Sequence, residues 1–216
     1  MEELSNSVRF ISDKLDEANN CMKDMSAQFA VIRKNNEELR AINTDLTKEV
    51  VVLRDRVRSI EQYSRRDNIE VSGLPVTKNE DVVSLVKDVA AAVGIMIRED
   101  DISTAHRVPS FKKERTPSLI VRFARRSTRD SILAKYREKR GGMTARDVNP
   151  TFPQQGLYIN EHLSHDNKVF LSKLKSKCKD IGYAYAWCRD GRFFVRKTQS
   201  DKYKRVDTYE ELDKLK

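Results

Sequence analysis

Apolar residues in the first sixty positions recur with alternating steps of four and three, and this repeat constrains the chain more than any other feature. The series runs Leu4, Val8, Ile11, Leu15, Ala18, Met22, Met25, Phe29, Ile32, Leu39, Leu46, Val50, Leu53, Val57 and Ile60. Two polar residues, Asn36 and Asn43, interrupt it. With Val8 at position a and Leu4 at position d, both asparagines fall at a, and the heptads run on without Gly, Pro or a stutter. Such a repeat buries its stripe only by supercoiling with partner helices, so it predicts a parallel coiled coil. A long amphipathic helix packed on a globular domain is the alternative. Val at a with Leu at d favours two strands, and buried asparagine fixes register. Against a dimer, Arg56-Val57-Arg58-Ser59-Ile60-Glu61 sets Arg56 at g, Val57 and Ile60 at a and d, and Glu61 at e. That arrangement resembles a short trimerisation motif in which the arginine crosses the apolar layer to a neighbouring chain's glutamate. A homotrimer is the reading, with a dimer as its alternative.

Charge divides the chain in the same way. Residues 1–62 hold 10 Lys+Arg and 12 Asp+Glu, leaving 32 and 21 of the chain's 42 and 33 for the rest. An acidic rod is thus followed by a strongly basic head. Cationic charge confined to one part of a chain points to a polyanionic partner. No apolar run reaches membrane length and the N-terminus has no signal-peptide pattern, so the expectation is a protein inside the cell without a membrane partner.

After Tyr63 the periodicity changes. Asn68-Ile69-Glu70-Val71 alternates as a strand, and Asn79 stands where a helix cap would precede Val82, Val86, Val89 and Val93. A second strand is expected in 101–108 and a third in Ser118 to Ala124, with Leu119, Val121 and Phe123 on one face and Arg122 on the other. Ser127, with Asp130 three residues on, reads as the capping box of a second helix ending at Gly141-Gly142. The segment 141–156 reads as a loop, and a fourth strand follows with Leu157 and Ile159 inward and Tyr158 outward. The order βαββαβ predicts an RRM-like unit, one antiparallel sheet with two helices on one face. The aromatic-rich sequence that RNA-recognition motifs carry on the third strand is replaced here by Arg122, so electrostatics must carry more of any binding.

Ser164 then caps a helix from His165 to about Ile181, and Asp190-Gly191 predicts a two-residue type I′ turn in a hairpin over 183–197. A short closing helix is expected over 208–215. The fold class expected is therefore α+β. Its parts are a coiled coil over 1–62, an RRM-like domain over 63–163 and a small basic hairpin domain over 164–216.

No residue spacing supports an enzyme. Cys21, Cys178 and Cys188 are scattered, and His162 and His165 have no further Cys or His at ligand spacing, so neither metal nor cofactor is expected. There is no P-loop, nucleophile elbow or HExxH. Basic residues do gather: eight fall between Arg122 and Arg140 against two acidic ones. In the hairpin domain Lys168, Lys173, Lys177, Arg189, Arg192, Arg196 and Lys197 accompany Tyr183, Tyr185, Trp187 and Phe193. Cations beside aromatics suit single strands, by phosphate neutralisation and base stacking. For Tyr183 and Trp187 core packing and stacking are equally good readings.

The stretches SRRDNIEVSGLP (64–75), AHRVP (105–109), PSLIVRF (117–123), RDSILAKYREK (129–139), LYINEHLS (157–164) and YAWCRDGRFFVRK (185–197), in this order, carry a resemblance. The chain resembles the first-open-reading-frame protein of LINE-type non-LTR retrotransposons, and is similar to the baculovirus few-polyhedra (FP) protein family. The resemblance implies a homotrimeric nucleic-acid chaperone that coats single-stranded RNA into a cytoplasmic ribonucleoprotein, with the nucleus as a second location and single-stranded DNA as a second substrate. It places binding at Arg65 and Arg66 of the junction, Arg122 of the sheet, and Arg137 and Lys139, with Lys168, Tyr183 and Arg196 in the last domain. Charge clustering adds Arg125, Arg126 and Arg140. Family members often carry a zinc finger before the coiled coil; none is present here, which suggests a short form or a fragment. The rival expectation is a coiled-coil scaffold whose heads bind protein, as a trafficking adaptor would.

Overall fold

A computed structural model describes residues 2–109, 116–139 and 142–215. The chain forms two compact units, Met1–Arg56 and Val57–Lys216. It is α+β, opening with one long helix, α1 (Glu2–Ser64), in which no residue is buried. The chain folds as continuous helix because nothing in it interrupts hydrogen bonding, and short-range pairs add local support. Lys14–Glu17 (2.6 Å), Lys48–Asp45 (3.1 Å) and Lys34–Glu38 (4.0 Å) are such pairs, each contributing roughly 0.2–0.5 kcal/mol. The a and d side chains stand in solvent in the single chain, as Leu4 and Ile60 do at 73% and 68% exposure. Asn36 and Asn43 lie on this exposed surface. An isolated helix of this kind has little beyond propensity to hold it.

The helix ends because its own last turn is capped from beyond. Arg65 folds back so that Nη1 donates to the Glu61 carbonyl (3.0 Å) and lies 2.9 Å from its carboxylate. Backbone turns from Arg65 to Gln62 and from Arg66 to Tyr63 close the remaining carbonyls. Part of the basic cluster at 65–66 is thus a helix cap.

A four-stranded antiparallel sheet follows: β1 (Asn68–Ser72), β2 (Ile102–Val108), β3 (Ser118–Phe123) and β4 (Tyr158–Glu161), in the order β2-β3-β1-β4. Helices α2 (Val82–Ala92) and α3 (Arg126–Glu138) both pack on the face formed by Ile69, Val71, Leu119, Val121, Phe123 and Ile159. Alternation puts Asn68, Glu70, Ser72, Arg122, Tyr158 and Asn160 on the other face.

Helix starts differ from the sequence expectation. Asp81, not Asn79, caps α2, because Asn79 takes a left-handed turn (φ 59°) and leaves the extended Asp81 to accept from Val83 and Ser84 N–H at 3.0 and 3.3 Å. Helix α3 starts one residue before Ser127 with no side-chain cap. Asp130 turns instead to the arginines Arg126 and Arg129. The segment expected as loop contains a single-turn helix, α4 (Ala145–Val148), boxed by Thr144 and Asp147, and buries Met143, Ala145 and Phe152 in the first core. Gly141, one of the two expected helix-ending glycines, lies outside the described residues; Lys139 is the C-cap of α3.

The last part holds α5 (His165–Asp180), a sheet of β5 (Tyr185–Arg189), β6 (Arg192–Arg196) and β7 (Lys204–Arg205) in that order, and α6 (Tyr209–Asp213). Its own core is Phe170, Leu174, Cys178, Phe193, Val195, Val206, Leu212 and Leu215. Ser164 accepts from Asn167 N–H, as the sequence predicts for the start of α5, and Thr208 accepts from Glu211 N–H at the start of α6. No helix among the described residues is long and apolar enough to cross a membrane.

Candidate nucleic-acid interface

Two side chains bind the second unit together beside an arginine-lined cleft. Gln62, on the last turn of α1, accepts through Oε1 from Ser164 N–H (3.0 Å) and Asn167 Nδ2 (2.9 Å), and donates through Nε2 to the His162 carbonyl (3.1 Å). Glu161 ends β4 and is buried. It accepts from the Asp190 and Gly191 N–H groups of the hairpin turn (2.9 and 3.2 Å) and from Arg137 Nη2 (3.1 Å). Buried Arg129 adds an ion pair to Glu161 at 3.5 Å and others to Asp130 (2.7 Å) and Asp190 (3.4 Å). A buried carboxylate is tolerable only with such a full set of donors. The turn itself is built for this contact: Asp190 and Gly191 both have positive φ (53° and 71°), as a type I′ turn requires.

Around these contacts opens a cleft of about 580 Å³. Arg58, Arg66, Arg126, Arg129, Arg192 and Arg205 line it, against the carboxylates Glu161, Asp190 and Asp207. Arg58 lies over the Phe170 ring (5.0 Å) and donates to the Asp207 carbonyl. Arg66 stacks on Tyr63 (4.0 Å), which holds its charge at the cleft wall. Arg126 reaches Asp130 and Asp190, each at 3.7 Å. Arg205 pairs with Asp207, while Arg192 makes no ion pair among the described residues.

Of the residues expected to bind, Arg66 and Arg126 meet in this cleft. Arg65 and Arg137 are committed to Glu61 and Glu161. Arg122 stands exposed on the open sheet face, opposite Asn68 and Thr104, and Arg125 is exposed at the start of α3. Lys139 donates to the Ala92 carbonyl at the end of α2. Lys168 crosses to Glu70 on the open face at 2.7 Å. Arg140 lies outside the described residues. Tyr183 packs against the second core with Lys197 over its ring (5.2 Å), and Arg196 lies over Tyr185 (4.8 Å). Arg58 and Arg205 do not stand out in the sequence, and Arg192 stands there only as one of several hairpin cations. Arg58 sits at a heptad position that reads as solvated rod, and only the docked C-terminal domain makes it a cleft residue. Glu161 did leave a signal, since it continues the inward alternation of Leu157 and Ile159.

Near the same junction His162 is half-buried, and burial pushes its imidazole down to about 4, with Glu70 opposing and Lys168 adding to the shift. The Asn68 amide nitrogen lies 3.2 Å from its Nδ1, a contact that suits the neutral ring. Burial also pushes the Cys188 thiol up to about 12, which leaves it unreactive. At the expected oligomerisation motif Arg56, Val57 and Ile60 are exposed and Glu61 is engaged by Arg65 of its own chain.

The model of the family described as Baculovirus FP protein domain 2 matches residues 164–216, the segment from Ser164 through α6. The chain is similar to that family over this part. No curated protein matches the chain.

Proposed function

We propose that this chain is an FP-type or retroelement-type protein that binds single-stranded RNA, assembles as a homotrimer through its heptads, and acts as a nucleic-acid chaperone in a cytoplasmic ribonucleoprotein. The observation that carries this reading is the arginine-lined cleft at the end of α1. Its cations outnumber its carboxylates, it is open to solvent, and a guanidinium takes a phosphate bidentately. The βαββαβ order and the strand order β2-β3-β1-β4 agree with an RRM-like unit, a scaffold whose relatives bind single strands. The exposed apolar stripe of α1 calls for partner helices, and the trimer reading supplies them. Three copies of a weakly binding head on one assembly raise effective concentration along a strand, giving cooperative coating from contacts that exchange readily.

The test is fluorescence anisotropy of a labelled single-stranded RNA over a salt series. Log affinity should fall linearly with log salt. Changing Arg66, Arg126 and Arg192 together to Ala should weaken binding and flatten the slope by about 2, because each phosphate left without its arginine takes roughly 0.7 from it. An unchanged slope moves binding away from the cleft. Absence of RNA binding by an intact oligomer sinks the reading and leaves the protein scaffold.

A further inference from the structure

The hairpin that closes the second core has an outer face of a different character. Cross-strand register pairs Tyr185 with Arg196, Trp187 with Phe194 and Arg189 with Arg192, and Phe194 with Arg205 of β7. Because Phe193 and Val195 point into the core, this whole set points outward. Trp187 and Phe194 stack (centroids 5.7 Å, planes 24° apart), and Tyr203 sets its edge against both at 6.4 and 5.5 Å. Tyr203 is 65% exposed. A hollow of about 420 Å³ opens beside them, with Ala184, Tyr185, Trp187, Arg196 and Tyr203 in its wall.

A core-forming sheet face does not look like this, and neither does an ordinary solvated one. Among the described residues these rings cover chiefly one another, which leaves Trp187 and Phe194 half-buried and Tyr203 exposed, and such rings shed the rest of their water only when a partner arrives. The charges around them say which partner. Arg189, Arg192 and Arg196 make no ion pair among the described residues. The nearby carboxylates are already engaged: Asp190 with Arg126 and Arg129, Asp207 with Arg205 and Phe193 N–H, and Asp201 with Thr198. Arg196 is held over Tyr185 and its buried Nε has no hydrogen-bond partner among the described residues. Flat rings bordered by unneutralised guanidinium groups match a ligand that alternates flat aromatic units with anions.

The geometry points to the outer face of β5–β7 as a base-stacking platform for unpaired nucleotides, with Trp187, Phe194 and Tyr203 taking bases and Arg189, Arg192 and Arg196 the flanking phosphates. The inference rests on the proposed nucleic-acid function and adds to the cleft a second contact surface. Arg192 belongs to both, so a strand leaving the cleft meets the platform at β6.

Trp187 is the only tryptophan of the chain, which gives the platform its own signal. The full chain is titrated with a labelled oligouridylate of about 16 nucleotides, the upper site size for a single small domain. Anisotropy and tryptophan emission are followed together. Stacking should quench Trp187 in step with the rise in anisotropy. Trp187→Ala should weaken binding about tenfold with an unchanged salt slope, and Trp187→Phe should restore most of it. The wild-type emission arm needs no variant, so a misfolded mutant cannot mask the result. If anisotropy rises while emission stays constant and Trp187→Ala binds as wild type does, the platform is overturned and the cleft reading stands. If anisotropy never rises, the nucleic-acid function falls and the platform falls with it, leaving this face to a protein.

Discussion

His162 sits where β4 leaves the sheet, beside Asn68 and close to the Gln62 contact with its carbonyl. Its imidazole titrates near 4 in the folded chain because burial disfavours the cation. In the unfolded chain it titrates near the ordinary 6.5. The unfolded state therefore takes up a proton first as pH drops. The contribution of His162 is fully present above about pH 6.5 and is lost as pH falls towards 4. Urea unfolding over this range should show a fall in stability that His162→Gln reduces, since glutamine does not titrate. An equal fall in the variant assigns the dependence elsewhere. Glu161 obeys another logic: buried among Arg129, Arg137 and two turn N–H groups, it joins sheet and hairpin as a charged clasp. Removing one partner of such a set leaves the others buried and unpaired.

At the scale of elements, the hairpin turn is both a local structure and a docking surface. Gly191 has φ 71°, and a Cβ there would lie 2.7 Å from Gln62 Cγ. Gly182 has a similar φ of 76° at the end of α5, but a Cβ there would meet nothing within 4 Å. Both Ala substitutions carry the left-handed penalty of about 1–2 kcal/mol. Gly191→Ala alone should also push Gln62 out of its three hydrogen bonds. Its destabilisation in chemical denaturation should exceed that of Gly182→Ala by about 1 kcal/mol or more. Equal effects for the two would mean that the hairpin does not press on α1 in solution. The Asp-Gly turn was legible from the sequence because its chemistry is local. Its contact with Gln62 was not, since the two residues are far apart in the chain and meet only when both cores form.

For the whole molecule, the long helix poses the clearest thermodynamic question. Its a and d residues are exposed in one chain, and a stripe of that extent in water is a standing drive to associate. Sedimentation of the full chain should give a mass of three chains, independent of salt. A mass of two would favour Val and Leu preferences over the Arg56–Glu61 motif, whose glutamate Arg65 already engages. Changing Asn36 and Asn43 to Val should raise the melting temperature of the assembly and let other oligomers appear, because buried asparagine trades stability for register. A lower melting temperature would place those asparagines outside the interface.

The helix, its heptad stripe, the strand alternation, the hairpin turn and the division of charge are all written in the order of residues along the chain. Each depends on spacing between near neighbours, and such spacing acts through geometry that the chain carries locally. Some finer choices it left open. Phe193 and Phe194 are adjacent and both aromatic, and only the packing of α5 against the hairpin made Phe193 core and left Phe194 half-buried on the outer face. The same packing set Tyr183 against the edge of the second core and Trp187 on the outer face. Arginine is equally at home as a helix cap, a buried partner or a free cation. Arg65, Arg129 and Arg192 fill those three roles because tertiary structure decided which carboxylates lay within reach.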